Sequence, residues 1–368
     1  MMTVDEILDQ PELSRADMIR LLSISDDHEQ KALIRKAYSV KTKTVGQKVY
    51  LRGLIEFSNL CRKNCFYCGI RNDNHKINRY SLSEDEIYRI TAYAIQQRFT
   101  GIVLQSGEQN SPAFTKQLAS LIAHIKKMAN PPLRITLSVG EQSYETYQEW
   151  FNAGAERYLL RIETANESLY HKIHPDNAVH SFQNRLQCLE NLQKIGFQTG
   201  TGVMIGLPFQ TINDLADDLL FFKNRNMDMI GMGPYLVHSD TPFARFSASL
   251  LPSGERFRLS LRMIALLRII MPDINIVATT ALQTIDPTGR ESGLLAGANV
   301  LMPNLTPITY RDNYLLYDNK PGSKEEELSD EFDSKLQQIG EKIEYNNYGD
   351  SIHFTKRNSH DCISCDNN

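Results

Sequence analysis

What this 368-residue chain lacks bounds it first. No apolar run approaches the ~20 residues a membrane-spanning helix needs. No charge dominates either: 40 Lys and Arg stand against 44 Asp and Glu, for a formal net charge of -4. That balance argues against nucleic acid and against an anionic membrane surface as partners. The segment Met1–Asp9 is acidic and lacks the basic and apolar regions of a secretory signal, so a cytoplasmic protein is expected. Cysteine is scarce. Of six in the chain, three fall within Cys61–Cys68, and none lies between Cys188 and Cys362. Such usage fits metal ligation in a reducing compartment better than a disulfide framework.

What is present is a regular alternation. Short β-rich apolar runs occur near 49–57, 102–106, 134–139, 157–162, 199–205, 227–232, 275–281 and 298–302. Amphipathic helical patterns separate them, near 83–98, 114–125, 143–153, 181–195, 211–225, 254–270 and 287–296. Parallel strands with crossover helices require such spacing. The pattern predicts an α/β fold, a (β/α)8 TIM-type barrel over 49–317, with an open doubly wound sheet as the alternative. Residues 1–48 read as helices, one opened by a Ser14/Asp17 capping box and a second over Asp26–Thr42, placed to close the bottom of the barrel. Residues 318–368 read as a polar tail, acidic at 325–333 and largely without an apolar period.

The chemistry-bearing stretch is Cys61-Arg62-Lys63-Asn64-Cys65-Phe66-Tyr67-Cys68, directly after the first apolar run. Three thiolates in one short loop hold three irons of a cubane cluster and leave the fourth open to a small molecule. The competing reading is a structural zinc knuckle, which needs a fourth ligand, His75 being the nearest. In a barrel, catalytic groups sit at the C-terminal ends of strands. Polar or flexible residues recur there: Ser106-Gly107-Glu108, Gly140-Glu141, Arg161 to Asn166, Gly206-Leu207-Pro208, Thr279-Thr280 on strand seven, and Met302-Pro303-Asn304. Cys188 shares an apolar helix with Leu189, Leu192 and Ile195 and reads as a core thiol. His171, His174 and His180 are irregularly spaced and far in sequence from the cysteines, so they do not read as a metal triad.

The Cys-x3-Cys-x2-Cys spacing resembles the radical S-adenosylmethionine (SAM) enzymes. That resemblance implies a [4Fe–4S] cluster on Cys61, Cys65 and Cys68, with SAM on its open iron and reductive cleavage to a 5′-deoxyadenosyl radical. It places Tyr67 near the adenine and the Gly107-Glu108 stretch at the methionine ammonium. Glu163 would take the ribose hydroxyls, although a structural Arg161–Glu163 pair is equally compatible with the sequence. Arg185 would reach the SAM carboxylate, or else be an exposed helix arginine.

Longer blocks narrow the likeness: Ile55-Glu56-Phe57-Ser58-Asn59, Tyr67-Cys68-Gly69-Ile70-Arg71, Leu104 to Glu108, Arg157 to Arg161, Ala278-Thr279-Thr280-Ala281, and Gly297 to Pro307. They resemble the HydE family of [FeFe]-hydrogenase maturases. Biotin synthase and methylornithine synthase are relatives sharing fewer of these blocks. The resemblance implies work on a small organometallic iron substrate beside the maturases HydG and HydF, with a pocket drawn from Gln105, Ser106, Arg161, Thr279, Thr280, Tyr310 and Tyr314. Many of these relatives carry three C-terminal cysteines for an accessory cluster. This tail offers Cys362 and Cys365, with His360 nearby, and two thiols do not close a four-thiolate site.

Overall fold

The computed structural model describes residues 2–320 and 330–365, the side chains at 330, 331 and 360–365 excepted. The tail residues His360, Cys362 and Cys365 therefore lie outside the described side chains, as does much of the acidic run at 325–333.

The strands are β1 (Lys48–Leu51), β2 (Gly53–Ser58), β3 (Gly101–Ser106), β4 (Arg134–Ser138), β5 (Arg157–Leu159), β6 (Gln198–Thr201), β7 (Met204–Ile205), β8 (Met229–Pro234), β9 (Asn275–Ala278), β10 (Val300–Leu301) and β11 (Lys342–Ile343). They form one parallel sheet in the order β11-β1-β10-β9-β8-β6-β5-β4-β3-β2, with β7 beside β8. β1 and β2 are halves of one extended run divided at Arg52. The first half pairs with β10 and the second with β3. Leu54 sits at the seam: its N–H donates to the Pro303 carbonyl at 2.8 Å, and its carbonyl accepts from Leu305 N–H at 2.7 Å. The α/β class and parallel order are those expected. The sheet is a partial barrel rather than a regular (β/α)8 one, because β10 has only two residues and β7 and β11 are additions.

The helices start where the sequence supplies an acceptor. Ser83, Ser111, Ser143, Ser181 and Thr211 each take the N–H three residues on, satisfying a donor that a helix start leaves unpaired. The apolar faces of these helices and of the strands merge into one core, with Ile102, Leu104, Leu137, Ile162, Leu219 and Ile276 fully buried. No described helix is long and apolar enough to cross a membrane.

Two expectations about the ends are corrected. The N-terminal helices Arg15–Leu22 and Asp27–Thr44 do not close the bottom. They pack on the outer helices Ile212–Asn224 and Ser253–Ile270, with Arg15–Asp217 and Lys223–Glu12 ion pairs at the contact. The bottom is closed by residues 348–351, inside the segment expected to be a solvated tail. Asp350 meets Arg157 at 2.6 Å, Arg134 at 3.1 Å and Gln198 at 2.6 Å. The Gly349 carbonyl accepts from Arg52 at 3.2 Å and Asn275 at 2.8 Å. Strand starts rich in Arg, Gln and Asn would be buried without partners if nothing covered them, and this short acidic loop provides those partners. On either side of it lie the helix Asp330–Gln338 with β11 and the helix Ile352–Cys365.

Burial opposes the charge on Asp350, but Arg157, Gln198 and Arg134 together hold its carboxyl below the usual range. Asp350→Asn should lower stability at pH 7 by about 3 kcal/mol, the low end for a broken buried pair, because the Asp350 side chain is 26% exposed. The folded pKa is depressed, so this contribution is present above the unfolded value near ~4 and lost as pH falls through the folded one. Urea denaturation should therefore show a wide gap between parent and variant at pH 7 that narrows at pH 3. A constant gap would show that Asp350 acts through packing alone.

Candidate functional site

The cysteine loop leaves the C-terminal end of β2 and lines a cavity of about 360 Å³. Its backbone is tethered on several sides. Phe66 N–H donates to the Ile173 carbonyl at 3.1 Å, Arg62 N–H to the Glu108 carbonyl at 2.9 Å and Gly69 N–H to the Leu316 carbonyl at 3.0 Å. Gly107 lets β3 approach the loop: a Cβ there would stand 2.4 Å from the Leu60 carbonyl oxygen and 2.7 Å from Cys61 Cβ.

His174 and His180, set aside in the sequence, lie behind this loop. His180 Nε2 accepts from Asn64 N–H at 2.9 Å while its Nδ1 faces Asn177 Oδ1 at 2.7 Å. Burial, with Lys63 close by, holds His180 down to about 4, so it stays a neutral acceptor. His174 Nδ1 donates to the Tyr170 carbonyl at 3.0 Å, which leaves Nε2 to accept from the Tyr67 hydroxyl at 3.1 Å. His75 is exposed and away from the cavity lining.

Beneath the loop lies a buried charge network. Lys63 Nζ meets Glu141 at 2.9 Å and Glu108 at 3.6 Å. Glu141 also accepts from Arg185 Nε and from Asn184 at 2.7 Å. Glu108 accepts from Arg62 at 2.8 Å and from Glu141 N–H at 2.8 Å. Burial opposes the Glu141 charge, but Arg185 and Lys63 outweigh it and hold the carboxyl down to about 2. Burial raises Glu108, and Lys63 only partly offsets this.

Three thiols on one loop are the donor set of an iron–sulfur cluster that keeps one iron without a protein ligand, whereas His75, the fourth ligand a zinc knuckle would call on, is exposed and outside the cavity lining. Burial pushes the Cys65 thiol up to about 12, so a thiolate there needs positive charge beside it to form. Cys61 Sγ already receives two N–H groups, from Lys63 and Glu108, each at 3.4 Å.

The structure gathers Cys61, Cys65, Tyr67, Cys68, Gln105, Ser106, Gly107, Glu108, Arg161, Glu163, Arg185, Thr279, Thr280 and Tyr314 around the one cavity. Arg185 is buried, against the exposed alternative. Its Nη1 donates to the Arg161 carbonyl, which leaves Nη2 as the nitrogen without a described acceptor. The Arg161–Glu163 pair forms at 3.1 Å, with Glu163 in the left-handed region at φ 67°. Thr279 and Thr280 are not on a strand. β9 ends at Ala278, and these residues open the helix Thr280–Ile285. Tyr310 is outside the cavity lining, tilted against Tyr80 with ring centroids 4.9 Å apart and bonded to Glu86 at 2.9 Å. Cys188 is buried, with Sγ 3.6 Å from the Gln142 carbonyl. The lining also includes Lys63, Glu56, Tyr317 and Lys320, to which the sequence reading gave no role, and Glu141 supports it from below. Lys63 was discoverable from its place inside the cysteine run; Glu56 and Lys320, 264 residues apart, form an ion pair no local pattern reveals.

Residues 55–222 match the family model of the radical SAM superfamily. The chain is 48% identical to the [FeFe] hydrogenase maturase subunit HydE of Thermotoga maritima, over 86% of this chain and 87% of that protein. It is 28% identical to a 3-methylornithine synthase of Methanosarcina acetivorans, over 85% and 86%. A crystal structure of HydG, a maturase of the [FeFe]-hydrogenase, superposes with a TM-score of 0.78 at 16% identity, covering 97% of this chain and 79% of that one, which shows a shared fold.

Gly107→Ala tests the close approach. Its Cβ has no room beside Leu60 and Cys61, so the loop must shift. Anaerobic reconstitution should then bind less than half the parent's iron while the far-ultraviolet circular dichroism is unchanged. Full iron loading would show that the loop gives way without losing its ligand geometry.

Proposed function

The chain belongs to the HydE family of radical SAM [FeFe]-hydrogenase maturases, and from that membership we propose how its cavity divides the work. Cys61, Cys65 and Cys68, which line the cavity, would hold a [4Fe–4S] cluster and leave one iron without a protein ligand. When bound, the cluster and SAM supply reductive sulfonium cleavage and a 5′-deoxyadenosyl radical. The observation that carries this reading is that the three thiols, Arg185 and Glu163 all line one cavity.

The chain's own groups bind and orient. Arg185 Nη2 takes the SAM carboxylate, its guanidinium already fixed by Glu141 and the Arg161 carbonyl. The ammonium goes to backbone carbonyls near Ser106 and Gly107 rather than to the Glu108 carboxylate, whose oxygens accept from Arg62 and Glu141 N–H. Glu163 accepts the ribose hydroxyls, and Tyr67, held by His174, borders the adenine. The substrate is a small anionic organometallic iron complex. Arg161, Gln105, Ser106, Thr279, Thr280 and Tyr314 offer it a cation and hydrogen-bonding groups in a cavity whose lining is mostly apolar. HydG and HydF are the expected partners, and the cytoplasm the expected compartment for an oxygen-sensitive site.

Dithionite-reduced, reconstituted protein should convert SAM to 5′-deoxyadenosine, and Cys65→Ala should abolish this; full cleavage by that variant would remove the loop as the cluster site. Glu163→Gln should weaken SAM binding by about one to two decades, the effect of a lost charge-assisted bond of about 1.5–3 kcal/mol. Equilibrium dialysis decides this, and unchanged affinity would make Glu163 only the structural partner of Arg161. Arg161→Leu should retain most SAM cleavage and lose hydrogenase activation in a maturation assay.

A further inference from the structure

Residues 59–80 carry the three thiols on turns and irregular chain, so their backbone carbonyls have no helix or sheet ladder to satisfy them. The loop is tied at its neck. Ser58 and Ser81 form an isolated antiparallel bridge, Asn59 N–H donates to the Tyr80 carbonyl at 3.3 Å, and Tyr80 N–H donates to Asn59 Oδ1 at 2.8 Å. From that neck Arg79 reaches into the loop. Its Nη1 donates to the Asn59 and Ile70 carbonyls at 2.7 and 2.8 Å, and its Nη2 to those of Arg71, Asn72 and Asn74 at 2.5, 3.2 and 3.2 Å. One guanidinium thus joins the chain before Cys61 to the chain after Cys68. Its planar fork of donors suits it to several acceptors at once, which a lysine does not match.

The charge of that guanidinium is unmatched. Other cations near the thiols have carboxylate partners: Arg62 has Glu108, Lys63 and Arg185 share Glu141, Arg161 has Glu163, and Arg71 has Asp73. Among the described residues, Arg79 has backbone carbonyls alone. Burial lowers the Arg79 guanidinium from its ordinary value, and the Cys61 and Cys68 thiolates oppose this, so both sulfurs stand within its electrostatic reach. A cluster gains one negative charge when it is reduced, and uncancelled positive charge nearby favours that state.

We propose that Arg79 is a positioning residue for the cluster: it clasps the two flanks of the cysteine run together, and its unmatched charge draws the cluster's potential upward. This rests on the reading of the cysteine loop as a cluster site. None of the five bonds involves a sulfur, so the clasp sets where Cys61 and Cys68 stand relative to each other before iron arrives. Because Arg79 pairs with no described carboxylate, substituting it strands no buried charge. A change at Lys63 or Arg185 would do so at Glu141.

The test compares the full-length protein with Arg79→Gln, which is neutral, and Arg79→Lys, which keeps the charge without the fork. Apo protein is exposed to trypsin, and cleavage after Lys63 and Arg71 is followed by mass spectrometry. Both variants should be cut there at least about tenfold faster than the parent, because the protease meets the opened loop. After anaerobic reconstitution, the cluster potential is read by titration with dithionite and redox mediators under electron paramagnetic resonance. The potential belongs to loaded clusters, so partial loading suffices. Arg79→Gln should lie at least about 59 mV below the parent, a tenfold change in a one-electron equilibrium, and Arg79→Lys should stay close to the parent. Equal cleavage rates in the three proteins would overturn the clasp. Equal potentials in all three, or an Arg79→Lys potential as low as that of Arg79→Gln, would overturn the charge role. A parent that takes up no iron would strike the cluster reading and the charge role with it, and apo cleavage would still decide the clasp.

Discussion

Glu141 lies at the base of the site, with Lys63 and Arg185 on one carboxylate oxygen and Asn184 on the other. These contacts join three pieces of chain that local sequence cannot bring together: the cysteine loop, the turn after β4, and the helix Phe182–Ile195. Removing one member of such a buried set leaves uncompensated charge, a loss of about 3–5 kcal/mol, so the set acts as a unit. Gly140, at φ 81°, makes room for it, because a Cβ there would fall 2.5 Å from Glu108 Oε2. The network also determines which groups remain available. It occupies the Glu108 oxygens and two of the three Arg185 nitrogens, so the cavity presents one guanidinium edge and the backbone near Gly107.

The two ends of the sheet are finished by opposite means. At the C-terminal ends of the strands, the thiols, Arg161–Glu163 and Glu56–Lys320 face a cavity, with charge left accessible. At the N-terminal ends, Arg52, Arg134, Arg157, Gln198 and Asn275 are covered by Gly349 and Asp350. The same residue types thus serve binding at one end and closure at the other, and what separates them is whether later chain returns to satisfy them. Residues 315–320 do return over the cavity: Gly69 N–H holds the Leu316 carbonyl, and Asp318 N–H donates to the Val237 carbonyl at 3.0 Å.

Much of this was legible in the sequence, for physical reasons that can be named. Strands and helices were visible because period and capping are local: Ser83 with Glu86 and Thr211 with Asp214 announce their helices within four residues. The cysteine loop was visible because cluster ligation needs thiols and little else. Arg185 and Glu163 were placed through family resemblance, since alone each had an ordinary structural reading. What escaped was long-range. Asp350 meets Arg157 across 193 residues and Lys320 meets Glu56 across 264, so a polar tail gave no sign of its partners. His180 stands 116 residues from Asn64, and its irregular spacing from His171 and His174 carried no sign of that contact. Tyr310 was assigned to the pocket through family resemblance, but the short helix Ile308–Arg311 turns it toward Glu86.

The account depends on one iron of the cluster being open to the cavity. Electron paramagnetic resonance of the reduced, reconstituted protein, recorded while SAM is added, tests this most directly. An open iron that takes the amino and carboxylate groups of SAM must change its ligand field, so the cluster signal should shift and saturate at one SAM per chain. In Arg185→Ala the same shift should appear only at higher SAM concentration. A signal indifferent to saturating SAM, or a loop that binds zinc in place of iron under the same conditions, would contradict the account.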